Sequence, residues 1–228
     1  MERHFEREID TLKEQLLLMG GRTEQLVRKS IASLVRRDPE LARETVDDDR
    51  QIDRLEIEIE ERCIRLFALQ QPLATDLRFI MAALKISNDL ERVGDHGVNI
   101  AQSTIRLVEQ PQLKPLVDIP RMADLATAML NDALDAFVRR DSESARRLCR
   151  KDDEVDQLNR QVFRELISYM IESPATISRA MELILVARNL ERVADLATNI
   201  AEEVVFVQEA RIIKHRADER VGEDFGRS

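Results

Sequence analysis

The chain has 228 residues, of which 43% are hydrophobic, 35% charged and only 4% aromatic, and its formal net charge is −9. A field of that sign repels nucleic-acid phosphates and anionic lipid head groups, which argues against direct nucleic-acid binding. Abundant charge with aliphatic rather than aromatic interiors suits long amphipathic helices, and the length accommodates one large domain or two of about 100 residues.

Six prolines punctuate the chain, at Pro39, Pro72, Pro111, Pro115, Pro120 and Pro174, and the intervals between them read with a helical period. Six helices are predicted, over residues 3–36, 39–69, 73–109, 119–139, 142–172 and 175–213. In the first, Gly20-Gly21 predicts a kink or local break, because glycine costs about 1 kcal/mol relative to alanine inside a helix. Asp38 is placed to cap the second, with Pro39 at its first position, and Asp141 to cap the fifth. Residues 110–120 read as a linker, and beyond Arg216 the polar, glycine-containing end reads as a frayed tail.

Cys63 and Cys149 are isolated, with no CxxC pair, and read as part-buried thiols in a reducing compartment. The opening Met1-Glu2-Arg3-His4-Phe5-Glu6 has no apolar stretch of the signal-peptide kind, and no segment approaches ~20 uncharged apolar residues. A cytoplasmic chain is expected.

The chain contains an internal duplication. Leu90-Glu91-Arg92-Val93-x-Asp95-x-x-x-Asn99-Ile100-Ala101 recurs as Leu190-Glu191-Arg192-Val193-x-Asp195-x-x-x-Asn199-Ile200-Ala201. Arg36-Arg37-Asp38-x-Glu40-x-Ala42 likewise recurs as Arg139-Arg140-Asp141-x-Glu143-x-Ala145, so the repeat spans most of each half. The expected architecture is all-α: two tandem, pseudo-repeated three-helix bundles, over residues 1–112 and 113–214, followed by a tail at 215–228.

Helical positions i, i+4 and i+8 lie nearly on one line, so each copy aims two carboxylates and an amide the same way. Like charges at that spacing repel by roughly 0.2–0.5 kcal/mol, which a cation or a basic partner would relieve. Two more such pairs, Asp49 with Asp53 and Asp152 with Asp156, lie on the preceding helix of each half. In an antiparallel hairpin, pairs equidistant from the turn stand level. The midpoint between the pairs falls at Pro72 in the first half and between Ser173 and Pro174 in the second, both on predicted turns. Four carboxylates should therefore gather in each half, about 30 Å from the turn at the helical rise per residue. Glu56 and Asn159 lie on the same lines, and Asn88, Asn99 and Asn199 add oxygens. Such oxygen-rich sites suit Mg, Mn, Ca or Fe, with a structural Zn site less expected.

Acids on long helices commonly do no more than face water. Against that reading, the line carrying Glu91 and Asp95 is apolar nearer the turn, at Leu77, Met81 and Leu84, and the second half repeats the change with Ile177, Met181 and Ile184. His96 is expected on the helix surface, since its counterpart is Leu196; His4 and His215 are expected in solvent. Arg92 and Arg192 are expected to pair with nearby acids. The sequence has no GxSxG, no phosphate-binding glycine loop and no Glu-x-x-His of the di-iron oxidases, which makes an enzyme the weaker class.

Gln71-Pro72-x-Ala74-x-Asp76-Leu77-Arg78, followed by Leu90-Glu91-Arg92-Val93-Gly94-Asp95 and Leu190-Glu191-Arg192-Val193-Ala194-Asp195, resembles the PhoU family, regulators of phosphate uptake and phosphate signalling in bacteria and archaea. The resemblance covers roughly residues 5–212. It implies a cytosolic, often homodimeric pair of three-helix bundles carrying divalent or trivalent metal ions, among them Mg, Mn, Fe or Zn. The matching positions are Asp49 and Asp53, Glu91 and Asp95, Asp152 and Asp156, and Glu191 and Asp195. It further implies negative regulation of the phosphate-starvation response through the PstB ATPase of the Pst phosphate transporter and the sensor kinase PhoR. Alternatives are an accessory protein of another phosphate transporter, a carboxylate-ligated metalloenzyme and a structural scaffold. The duplication is inexact at Gly94/Ala194 and His96/Leu196, so the two clusters need not be equivalent.

Overall fold

The computed structural model describes residues 2–70, 74–149 and 151–210. Regular structure in them is helical throughout: α1 (Glu2–Arg36), α2 (Pro39–Asp48), α3 (Arg50–Gln70), α4 (Ala74–Val108), α5 (Asp118–Arg139), α6 (Ser142–Leu148), α7 (Asp152–Glu172) and α8 (Ile177–Glu209). A single 3-10 turn, Pro174–Thr176, leads into α8. Each half is a long helix, a divided helix and a second long helix, which together make a three-helix bundle. The turn at Pro72, residues 211–213, His215 and the tail at 215–228 lie outside the described residues, as does the side chain of His4.

The long helices form because apolar residues recur every three or four positions and find partners. Leu12, Leu16 and Met19 of α1, and Ile80, Ile86, Leu90 and Ile100 of α4, are fully buried in one core. Burial of each such side chain is worth about 1.5–3 kcal/mol. α3 flanks α4, α7 flanks α8, and α1 and α5 pack behind them and on each other. Phe79 of α4 stacks on Phe137 of α5 with ring centroids 4.9 Å apart, tying the halves together.

The seam between halves is the packing of α4 on α8. Among the described residues two ion pairs cross it. The Arg106 guanidinium holds the Glu182 carboxylate through two contacts of 2.7 and 2.9 Å, and the Lys85 ammonium donates to both oxygens of buried Glu203 at 3.0 and 3.1 Å. At the hundred-residue offset, the equivalents of Lys85 and Arg106 are Leu185 and Phe206, and those of Glu182 and Glu203 are Ala82 and Ser103.

The predicted caps are present. Asp38 accepts from the amides of Glu40 and Leu41, and Asp141 from those of Glu143 and Ser144. Just before each cap, Arg37 and Arg140 stand in the left-handed region, at φ 55° and 56°, and end α1 and α5. Arg37 also donates to the carbonyls of Leu107, Val108 and Gln110, which completes the C-terminal end of α4.

Two sequence expectations are corrected. The predicted single helices at 39–69 and 142–172 are each divided, at Asp49 and between Leu148 and Asp152. Carboxylates are unfavourable at the negative end of a helix dipole and favourable at its start, so the run Asp47-Asp48-Asp49 closes one ladder poorly and opens the next well. In the second half Arg146 and Arg147 end α6, while Asp152, Asp153 and Glu154 fill the first turn of α7. The second correction concerns Gly20-Gly21, which does not break α1. A Cβ on Gly20 would come within 2.2 Å of Leu134 Cδ1, so the glycine is there to let α5 approach, while a Cβ on Gly21 would meet open space.

Candidate metal centres

The breaks in the middle helices place the acidic residues. In the first half the carbonyl of Asp49 accepts from the amides of Ile52 and Asp53, at 2.7 and 3.2 Å, so Asp49 and Asp53 stand one turn apart where α3 begins. Across the hairpin, α4 carries Glu91 and Asp95. Asn88 Nδ2 donates to Glu56 Oε1 at 3.3 Å and holds the register of α3 against α4. In the second half Asp152 and Asp156 open α7 and face Glu191 and Asp195 on α8.

These carboxylates act on one another's charge. Burial pushes Asp49 up to about 6, helped by the charges of Asp53 and Asp95. Glu91 is pushed up to about 7, by burial first and then by Asp95, Glu56, Asp53 and Asp49. In the other half burial raises Asp152 to about 6, with Asp195, Asp156, Asp153 and Glu191 adding to it. Each hairpin therefore brings its two acid pairs into mutual reach and adds a carboxylate the duplicated motif does not contain, Glu56 in the first half and Asp153 in the second. Glu56 lies on the acid line by its spacing; Asp153 carries no such signal.

The donor set suits a hard cation in charge and in atom type. Asp152 Oδ1 is buried with no hydrogen-bond partner, an oxygen with an open coordination direction. In the first half a Cβ placed on Gly94 would lie 2.8 Å from Asp49 Oδ1, so that carboxylate rests against the bare backbone of α4. Among the described residues no three His, Cys, Asp or Glu side chains converge on a common point as they stand, so closure around one ion would take side-chain rotation. Residues that could hold an ion are Asp49, Asp53, Glu91 and Asp95 in one cluster and Asp152, Asp156, Glu191 and Asp195 in the other. An ion there would neutralise the crowded charge and tie the start of α3 or α7 to the long helix beside it.

The neighbouring residues divide between the clusters and the seam. Arg92 pairs with Asp89 at 3.3 Å and Arg192 with Asp195 at 2.9 Å, as their spacing suggested; the second contact engages a candidate ligand. His96 is not on the surface but half-buried at the seam, 2.8 Å from Asn189 Oδ1. Asn189 spends its own amide hydrogen on the Leu185 carbonyl, so the network assigns the proton of this contact to His96 Nδ1. Burial lowers the His96 pKa, partly opposed by that hydrogen bond. Asn99 also turns to Asn189, at 3.5 Å, and so contributes to the seam. The apolar stretch of the acid line is no buried strip. Leu77, Met81, Ile177 and Met181 are 40–46% exposed, so the change from acid to apolar occurs on an outer face. Leu84 and Ile184 alone among the six pack against the core.

This arrangement defines an all-helical protein of two fused repeats, each with a carboxylate cluster on its hairpin and exposed apolar side chains nearer the turn of the same helix. The family model described as the PhoU domain matches residues 16–104 and 119–204, one copy in each half. The chain belongs to the PhoU family. It is 43% identical over 217 residues to the phosphate-specific transport system accessory protein PhoU homolog of Aquifex aeolicus, covering 95% of this chain and 98% of that one. The homolog of the same description from Caulobacter vibrioides is 42% identical over 203 residues, covering 89% and 88%. Among solved structures, PhoU from Pseudomonas aeruginosa superposes with a TM-score of 0.87 at 36% identity, over 91% of this chain and all of that one. The phosphate transport system regulatory protein PhoU from Streptococcus pneumoniae gives 0.85 at 30%, over 91% and 98%.

Proposed function

We propose that this protein is a metal-binding accessory protein of a phosphate-specific transport system that restrains phosphate uptake and the phosphate-starvation response when phosphate is ample. It acts in the cytoplasm, as a homodimer, by binding rather than by catalysis, and links the PstB ATPase of the transporter to a PhoR-type sensor kinase. Relatives that match nearly the whole chain are named accessory proteins of that transport system, and this supports the assignment. No helix among the described residues is long and apolar enough to cross a membrane, so contact with a transporter would run through its partners.

The observation that carries the adaptor reading is the pairing, in both repeats, of crowded carboxylates with exposed apolar side chains on the same helices. Exposed apolar side chains grouped on one helix are surface that a protein partner can bury. Mg, Mn, Fe or Zn on the eight carboxylates would fix the broken middle helices and so the shape of that surface. The test is a pull-down of the tagged full-length chain from cells grown in high phosphate. PstB and PhoR homologues should be retained with metal present and reduced after chelation. Recovery of neither, together with normal repression of the starvation response in a clean deletion strain, would sink the proposal.

A further inference from the structure

The two carboxylate clusters differ at one backbone position, Gly94 in the first and Ala194 in the second. The difference falls where a carboxylate lies. Oδ1 of Asp49 is 2.8 Å from the point a Gly94 Cβ would occupy, and Ile52 Cδ1 is 3.2 Å from it. Gly94 has no positive φ and sits inside α4, where glycine costs about 1 kcal/mol relative to alanine, so the helix itself gives no reason for it. Ala194 is fully buried, with its methyl group at the equivalent point of α8. In the second cluster Asp152 Oδ1 is buried without a hydrogen-bond partner, whereas in the first Asp49 Oδ1 lies against the bare backbone of Gly94.

We infer that Gly94 is a positioning residue for the first cluster: by omitting a side chain it seats the Asp49 carboxylate against α4, and it thereby makes the two cation sites inequivalent. This rests on the metal-binding reading above. A methyl group at that point displaces Asp49 Oδ1, the free end of its side chain, from the face of α4 that carries Glu91 and Asp95, and so from the place where it could join them around an ion. The second cluster, built around Ala194, has its aspartate placed without that seat.

The test is a Mn2+ titration by calorimetry on the full chain carrying Glu191→Gln and Asp195→Asn, which leaves the first cluster as the site read. Introducing Gly94→Ala into that background should weaken Mn2+ binding at least tenfold. Ile52 is the other neighbour of the new methyl, so Gly94→Ala with Ile52→Val separates the two contacts and relieves any packing defect. Binding that stays weak in this variant places the effect on Asp49 and supports the inference. Binding restored by Ile52→Val, or unaffected by Gly94→Ala, overturns the positioning role while leaving the metal reading intact. Absence of Mn2+ binding by the unmodified chain overturns both. Circular dichroism on each variant checks that the helices persist, and the Ile52→Val version decides the outcome if the single variant does not fold.

Discussion

At the scale of single residues, the carboxylates at the start of α3 and α7 oppose the fold until their charge is met. Asp49, Glu91 and Asp152 have values near 6, 7 and 6, above the ordinary carboxylate values near 3.8, 4.5 and 3.8, through burial first and neighbouring acids second. A group whose pKa is raised on folding holds its proton longer in the folded chain, so its contribution is fully present below the unfolded value and lost as pH climbs through the folded one. The metal-free protein should therefore melt at progressively lower temperature as pH rises from about 4 to about 7, because three folded-state groups surrender protons in that window. Glu91→Gln with Asp95→Asn should flatten part of the slope, and adding Mn2+ at neutral pH should raise the melting point of the unmodified chain. Thermal melts monitored by circular dichroism would measure all three. A melting temperature that climbs over the same window would show that these carboxylates are not crowded.

At the scale of elements, the two glycines of α1 should behave oppositely although they are adjacent. Gly21→Ala adds a methyl group into open space and removes a helix-interior glycine, and should stabilise by about 0.5–1 kcal/mol. Gly20→Ala gains the same propensity but drives its methyl group into Leu134, and the overpacking penalty of about 1–3 kcal/mol should win. Chemical denaturation of both variants decides the point; equal shifts would mean that α5 does not approach α1 at Gly20. This contrast also marks how far the sequence could be read. The six long helices, the caps and the pairing of acids across each hairpin are legible, because periodicity, Asp38-Pro39 and the midpoint arithmetic are local or one-dimensional signals. The role of Gly20 is not, because it depends on a side chain more than a hundred residues away. The helix break in the second half is marked by the reversal from Arg146-Arg147 to Asp152-Asp153-Glu154, the end of one dipole and the start of another. His96 was misplaced because its surroundings come from Asn189 in the other repeat.

For the whole molecule, the packing of α4 on α8 and of α1 on α5 makes the two repeats share a single core. Differential scanning calorimetry should accordingly give one cooperative transition, with calorimetric and van't Hoff enthalpies in agreement. Two resolved transitions would show that the repeats unfold independently.

A fused duplication carries an assembly hazard, since each half resembles its sister closely enough for a wrong half, from another chain, to take its place. The two ion pairs across α4 and α8 answer this by division of labour: both cations, Lys85 and Arg106, belong to the first repeat, and both anions, Glu182 and Glu203, to the second. If two first repeats met, their cations would face Ala82 and Ser103. If two second repeats met, their acids would face Leu185 and Phe206. The second mistake strands buried Glu203 without its cation, at a cost of several kcal/mol, whereas in the first the half-exposed Lys85 and Arg106 lose their partners at smaller cost. The seam thus works as a lock with its key on the same polypeptide, and accepts only the unlike half.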